Sequence, residues 1–170
     1  DDCHERIAAR YRALFEAELQ DGQTGALLVW GDPALYDSSL RIMERVSASG
    51  FALDWQVYPG ISSVQALAAR HKVPLNRIGG AVEITTGRRL AAGQVSTADS
   101  QVVMLDAQDA YQQVADRELQ IYWGAYLGTA DEILIAGKLK DVADQIERVR
   151  KAARHANGWI MDTYLIRKPD

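Results

Sequence analysis

Apolar and polar positions alternate with helical and strand periods in turn along the first half of the chain. Residues 5–20 carry an apolar stripe interrupted by Glu and Arg, which predicts an amphipathic helix. Helices are also predicted over 38–48 and 61–73. The continuous apolar run 26–30 predicts a buried strand, and the alternation over 53–58 predicts a half-buried one. This order of elements predicts right-handed crossovers and a parallel sheet.

The second half has a different pattern, and residues 72–81 are interpreted as the linker to it. Strands are predicted over 81–85, 102–105, 119–127, 132–136 and 159–166, and helices over 107–115 and 141–154. Because some of these strands are joined by loops too short for a helix, we expect a mixed sheet with antiparallel pairs. The predicted fold class is α/β, with domains 1–79 and 80–170.

The composition and charge of the chain exclude several classes of protein. With 48% hydrophobic residues and a net charge of −4, the 170-residue chain has ordinary globular composition and no general attraction to nucleic acid or anionic membranes. Its apolar runs are too short to span a bilayer. Cys3 is the single cysteine, which is typical of a cytoplasmic protein. His4, His71 and His155 are far apart in sequence, so we expect no metal site.

Two polar loops follow the predicted strands of the first half. Asp32 comes just after the first strand, and Ser62 and Ser63 come after the second, at the start of a helix. If these strands are parallel neighbours, both loops lie at one sheet edge, where α/β proteins bind ligands. The backbone N–H groups of the serines would favour a carboxylate, and Asp32 would accept bonds from hydroxyls. The alternative is that Asp32 stabilises a turn and the serines cap a helix.

Two further groups of residues have a functional and a structural interpretation. Arg88 and Arg89 follow a predicted strand and would bind an acidic substrate, or they belong to a solvated basic loop. Tyr122, Trp123 and Tyr126 pack in the core or form a wall for a flat macrocycle.

Several segments together resemble the tetrapyrrole methyltransferases of cobalamin biosynthesis. They are Trp30 to Ser38, Tyr58 to His71, Leu75 to Gly79, Ile84 to Arg89, Ile121 to Thr129 and Gly158 to Tyr164. The resemblance covers nearly all of residues 25–166. It implies two α/β domains with S-adenosylmethionine between them. The family also has a strand and a Gly-rich loop ahead of the residues present here, so we expect that this chain lacks the family's N-terminal segment.

The resemblance also implies a set of site residues. Those that would hold the cofactor are Gly31, Asp32, Leu35, Ser62, Ser63, Leu105, Gly128 and Thr129. The substrate candidates are Tyr36, Arg88 and Arg89. Asp32 and Tyr36 are weak candidates for proton transfer, and the catalytic residues are otherwise unknown.

The members most similar to this chain methylate precorrin-5 at C1 of the macrocycle, release acetate and give precorrin-6A. The resemblance therefore implies a cytoplasmic enzyme with a small-molecule precorrin substrate, no metal, and a homodimeric state as in related enzymes. Two alternatives remain open. One is another methyltransferase of the superfamily, acting at a different ring position or on a modified histidine of a protein. The other is a non-catalytic module that binds tetrapyrroles.

Overall fold

The computed structural model describes residues 2–93 and 96–169, which form two compact units. The first contains the described residues up to Ser62, and the second those from Ser63 onward. In the first unit, helices α1 (Asp2–Glu18) and α2 (Ser39–Ala48) pack together. Their core contains Ala8, Phe15, Ile42, Met43 and Val46, with Phe51, Leu53 and Trp55 packed against it. The predicted domain boundary at residues 79 and 80 stays a prediction.

The strands predicted over 26–30 and 53–58 are wrong. Both segments are irregular, and no residue of the first unit that the structure describes belongs to a strand. Leu28 is 98% exposed, so the run 26–30 is not buried either. An apolar segment becomes a strand only when a neighbour completes its hydrogen-bond ladder. Neither segment has such a neighbour in the described residues, so the parallel sheet predicted for this half is not formed there.

The second unit is built on a five-stranded mixed sheet. Its strands are β1 (Val82–Thr86), β2 (Ser100–Met104), β3 (Gln120–Ala125), β4 (Ile133–Lys138) and β5 (Asp162–Arg167). The order across the sheet is β1-β2-β5-β3-β4. Only the β1–β2 pair is parallel, and the other three pairs are antiparallel. The predicted mixed sheet is thus confirmed, with β5 buried along its whole length at its centre.

Helices cover both faces of this sheet. Helix α3 (Ser63–His71) packs on one face, where His71 meets the Tyr122 ring edge-on at 5.5 Å between centroids. Helix α5 (Leu139–Asn157) packs on the other, and its inward positions join a core formed with Ile121, Trp123 and Tyr164. Alternate residues of a strand point to opposite faces, so Tyr122 and Trp123 belong to different layers.

Two short elements differ from expectation. The helix predicted over 107–115 is only a 3₁₀ turn, Ala110–Gln113. Helix α4 (Gly87–Ala91) forms where a basic loop was one of the interpretations of Arg88 and Arg89. None of the helices within residues 2–93 and 96–169 has the length and apolar character needed to cross a membrane.

Candidate functional site

Asp32 joins the two loops of the first unit. Its Oδ1 accepts a hydrogen bond from the Ala34 N–H at 2.8 Å, and its Oδ2 accepts one from the Gly60 N–H, also at 2.8 Å. A carboxylate has about four lone-pair positions, so two acceptor positions remain after these bonds. The loops are therefore neighbours, as predicted, although the predicted strands before them do not form.

Two glycines allow this close approach. A Cβ added to Gly60 would lie 2.1 Å from the carbonyl oxygen of Gly31, so only glycine fits. Gly31 has φ of +93°, and a Cβ added there would lie 3.8 Å from the Ser62 Cα. Leu35 is half-buried in the same turn, and its N–H donates to the Asp32 carbonyl oxygen at 3.2 Å. Of the predicted site residues, the first unit thus brings Gly31, Asp32, Leu35 and Ser62 close together in one loop pair.

Tyr36 is also part of this unit. Its backbone has φ of +51°, and its side chain is 46% exposed. This conformation is uncommon for an aromatic residue. A substrate-binding role for Tyr36 stays a prediction.

The other predicted site residues lie in the second unit, at one edge of its sheet. This edge is formed by the ends of the strands and not by an outer strand. In the ladder, Met104 is paired with Thr86 on one side and with Thr163 on the other, and Thr163 is paired with Gly124. Leu105 follows Met104 directly. The Ser63 hydroxyl accepts a hydrogen bond from the Thr163 hydroxyl at 3.0 Å.

The same edge carries the remaining candidates. Arg88 and Arg89 come two and three residues after the end of β1, and both are exposed. Gly128 and Thr129 lie in the turn after β3, where the Thr129 hydroxyl donates to the Tyr126 carbonyl oxygen at 2.8 Å. All predicted site residues of this unit are therefore at the edge where β1, β2 and β3 end.

Glu132 fixes the turn that contains Gly128. Its Oε2 accepts the Gly128 N–H at 2.9 Å, and its Oε1 accepts the Arg70 Nε–H of α3 at 2.5 Å. The hydrogen bond from Gly128 lowers the pKa of Glu132 below its ordinary value, and Arg70 adds to this effect although burial opposes it. Sequence reasoning missed Glu132, since an acidic residue at the start of a strand has no distinguishing pattern.

We expect Glu132→Gln to lower the thermal midpoint at about pH 7 and to have a diminishing effect as the pH falls toward about 3. A folded-state pKa below the unfolded value stabilises the protein above the unfolded pKa. This stabilisation is lost as the pH falls through the folded pKa. Asp131→Asn is the matched control, because it removes the neighbouring charge and keeps the backbone N–H through which Asp131 bonds to the Thr129 hydroxyl. A difference between wild type and Glu132→Gln that does not vary with pH would contradict the expectation.

A group of buried charges lies directly behind Leu105. The Arg150 side chain is 6% exposed, and its Nε donates to Asp162 Oδ2 at 2.9 Å. Its Nη1 lies 3.1 Å from Asp109 Oδ1, and its Nη2 donates to the Asp106 carbonyl oxygen. Trp123 Nε1 also donates to Asp162, at 3.0 Å. Burial raises the pKa of Asp162, and the hydrogen bond from Arg150 opposes that rise.

Two of the three aromatic residues in and after β3, Trp123 and Tyr126, pack in the core. Trp123 is fully buried, and Tyr126 is 4% exposed with its hydroxyl donating to the Trp159 carbonyl oxygen at 2.6 Å. Tyr122 lies between His71 and the Arg167 guanidinium, which is 5.3 Å from the ring centroid. Core packing is confirmed for Trp123 and Tyr126, whereas Tyr122 is half-buried.

One of the buried charges has a signal in the sequence, in the apolar stripe of α5. The inward stripe of α5 includes Ala143, Ile146, Arg150 and Ala153, so a guanidinium occupies a position where helical spacing places an apolar residue. A charge at such a position needs a buried partner. No spacing rule identifies Asp162 or Asp106 as that partner.

Within the part of the chain that the structure describes, no group of three or more His, Cys, Asp and Glu residues is arranged to hold a metal ion. A cleft of about 460 Å³ does lie at the edge described above. Leu105, Arg150, Trp159 and Met161 are among the residues that line it. Exposed apolar side chains and buried charged side chains, among them Asp106 and Arg150, both line the cleft.

Residues 2–143 match the family of Tetrapyrrole (Corrin/Porphyrin) Methylases, and the chain belongs to this family. It is 56% identical over 169 residues to "Precorrin-6A synthase [deacetylating]" of Sinorhizobium sp, a match that covers 99% of the chain. The chain spans 65% of that relative's length.

Solved structures agree with this assignment. A cobalamin synthesis related protein (CobF) from Corynebacterium diphtheriae matches with a TM-score of 0.91 and 40% identity, over 98% of this chain and 71% of that one. Uroporphyrin-III C-methyl transferase from Thermus thermophilus, solved with S-adenosyl homocysteine, matches with a TM-score of 0.56 and 14% identity, over 96% and 71%. The latter likeness shows the fold alone. The predicted α/β fold class is confirmed.

Proposed function

We propose that the whole protein is an S-adenosylmethionine-dependent methyltransferase that methylates precorrin-5 at C1 and releases acetate to give precorrin-6A. The observation that carries this proposal is the 56% identity over 169 residues to the Sinorhizobium enzyme. Its place would be in cobalamin biosynthesis, with a precorrin as the small-molecule substrate. Light scattering would test the predicted homodimer.

The residues of both units fit this cofactor chemically. Asp32 retains acceptor positions for hydroxyl or ammonium groups, and its loop carries glycine where the backbone must be approached closely. Leu105 and Gly128 are exposed at the sheet edge of the second unit, as a contact with a ligand requires. Serine, glycine and carboxylate groups suit a ligand that has ribose hydroxyls, an amino group and a carboxylate.

When bound, S-adenosylmethionine supplies a methyl group on a positively charged sulfur. Transfer of that methyl to an electron-rich ring carbon needs alignment and exclusion of water more than it needs a strong base. We therefore assign Gly31, Asp32, Leu35, Ser62 and Ser63, together with Leu105, Gly128 and Thr129, to cofactor binding. We assign Arg88 and Arg89 to the carboxylates of the substrate, because a guanidinium pairs with a carboxylate through two parallel hydrogen bonds.

Release of acetate consumes water and requires proton transfers. Asp32 and Tyr36 are the candidates for these transfers, and two backbone N–H groups hold the Asp32 carboxylate in a fixed geometry.

Titration calorimetry of the full-length protein with S-adenosylhomocysteine tests the cofactor assignment. Mass spectrometry of the product then counts methyl groups added and acetate lost. A product that gains a methyl but loses no acetate would favour another ring position or substrate. Binding of the precorrin without turnover would favour a non-catalytic module.

We expect Asp32→Asn to weaken S-adenosylhomocysteine binding about tenfold, or about 1.4 kcal/mol. The amide has one acceptor oxygen and cannot accept bonds from the N–H groups of both Ala34 and Gly60 in the present geometry. One of these two hydrogen bonds is therefore lost. Asp54→Asn is the control, since Asp54 is an exposed carboxylate of the same unit. Equal affinities for the two variants would remove Asp32 from the site.

A further inference from the structure

Leu105 has a backbone conformation that leucine rarely adopts. Its φ is +53°, and its side chain is 64% exposed at the edge of the sheet. Asp109, four residues later, also has φ of +53°. Conformations of this kind persist only where the surrounding structure imposes them, and they cluster at ligand-binding positions. The surroundings of Leu105 therefore have to account for its geometry.

Asp106 supplies most of this constraint. It is 4% exposed, and its Oδ1 accepts the Gln108 N–H at 2.9 Å. Its Oδ2 accepts both the Ala110 N–H at 2.8 Å and the Tyr164 hydroxyl at 2.6 Å. Burial raises the pKa of Tyr164, and the Asp106 charge raises it further, so the hydroxyl keeps its proton and remains the donor. One carboxylate thus ties the residues after Leu105 to the central strand of the sheet.

Two further contacts fix the same segment. Arg150 donates to the Asp106 carbonyl oxygen and pairs with Asp109, so it holds both ends of the turn. A Cβ added to Gly87 would lie 2.5 Å from the Asp106 carboxylate, so the start of α4 packs directly on Asp106. The segment from Leu105 to Asp109 is anchored from β5, α4 and α5.

We propose that Asp106, Tyr164 and Arg150 are positioning residues that hold Leu105 against the adenosyl group of the bound methyl donor. The inference rests on the proposed function, which assigns Leu105 to cofactor binding. Tyr164 is not among the residues that line the cleft, so its effect on the cofactor would be indirect. The effect of the three residues is to keep the exposed leucine and its main chain in one conformation, so that the cofactor does not have to order them when it binds.

The cleft at this edge supports the assignment. Leu105, Trp159 and Met161 line it, and each exposes more than two fifths of its side chain, at 64%, 44% and 47%. A flat heteroaromatic group gains most from such an apolar surface when the surface is rigid. The buried Asp106 and Arg150 side chains also line the cleft, and their contacts with one another's segments keep this surface rigid.

Tyr164→Phe tests the proposal by removing a single hydroxyl from the buried network. We expect S-adenosylhomocysteine to bind this full-length variant about tenfold more weakly by calorimetry. Amide hydrogen exchange of residues 105–109, measured without ligand, should become faster. Ile121→Val is the control, since it removes one buried methylene from β3, where Ile121 pairs with Ile166 away from the edge. It should leave the affinity and the exchange of residues 105–109 unchanged.

A double substitution tests whether Tyr164 acts through Leu105. In protein that carries Leu105→Ala, the further change Tyr164→Phe should have no additional effect on affinity. Additive losses from the two changes, or an unchanged affinity of Tyr164→Phe alone, would overturn the positioning role. Failure of the wild-type protein to bind S-adenosylhomocysteine would instead overturn the proposed function, on which the inference rests.

Discussion

Arg150→Met is expected to cost about 3–5 kcal/mol of the free energy of unfolding. The variant removes the guanidinium that lies 2.9 Å from Asp162 and 3.1 Å from Asp109, and it leaves these carboxylates without their cation. Methionine fills a similar volume, so the loss reports on charge rather than on packing. Urea unfolding monitored by tryptophan fluorescence measures it, because Trp123 donates to Asp162 in the same cluster.

The helix provides a matched control one turn later. Arg154→Met removes an exposed guanidinium from the same face of the chain's longest helix and should change stability by less than about 0.5 kcal/mol. Equal effects of the two substitutions would show that the buried pairing of Arg150 contributes little. The double variant Arg150→Met with Asp162→Asn should be more stable than Arg150→Met alone, because the unpaired charge is gone.

The effect of Arg150→Met should depend on pH. Burial already raises the pKa of Asp162, and loss of Arg150 removes the principal opposition to that rise. A folded-state pKa above the unfolded value disfavours the folded state as the pH rises through this interval. The deficit of Arg150→Met relative to wild type should therefore shrink in acid. A deficit that stays constant between about pH 4 and about pH 8 would contradict this explanation.

The strands and the two long helices, α3 and α5, of the second unit could be predicted because their pattern is local. The alternating and continuous apolar runs of β1 to β5 are bounded by turn residues, and the stripe of α5 has a clear helical period. The run 26–30 has the same apolar character and forms no strand. Whether a run pairs depends on a partner elsewhere, which the period of the run does not report.

The candidate site also contains some residues that could be proposed from the sequence and others that could not. Asp32 and Ser62 could be proposed because the loops after two apolar segments carry an acid and serines, and Gly128 was proposed only from the family resemblance. The residues that hold these loops in place could not be identified from the sequence. Glu132, Asp106 and Asp162 act through contacts between elements distant in sequence, and the Tyr164 hydroxyl reaches Asp106 across 58 positions. Only Arg150 had a local signal, as a charge within an apolar stripe.

Gly60→Ala is expected to separate the two loops of the first unit, at a cost of about 3 kcal/mol. The new Cβ would lie 2.1 Å from the Gly31 carbonyl oxygen and 3.1 Å from its carbonyl carbon. Both obstructing atoms are backbone, so no side-chain rotation relieves the overlap. As the loops move apart, the hydrogen bond from the Gly60 N–H to Asp32 is lost as well.

Gly50→Ala distinguishes this overlap from the ordinary conformational cost of replacing glycine. Gly50 has φ of +81° and nothing within 4 Å of an added Cβ, so the change should cost about 1 kcal/mol through backbone strain alone. Native-state amide exchange measures both variants locally, which avoids assuming that the two units unfold together. Gly60→Ala should accelerate exchange at Ala34 and in the loop around residue 60, and Gly50→Ala should not. Similar exchange in the two variants would mean that the Gly31–Gly60 approach is not what holds the Asp32 loop in place.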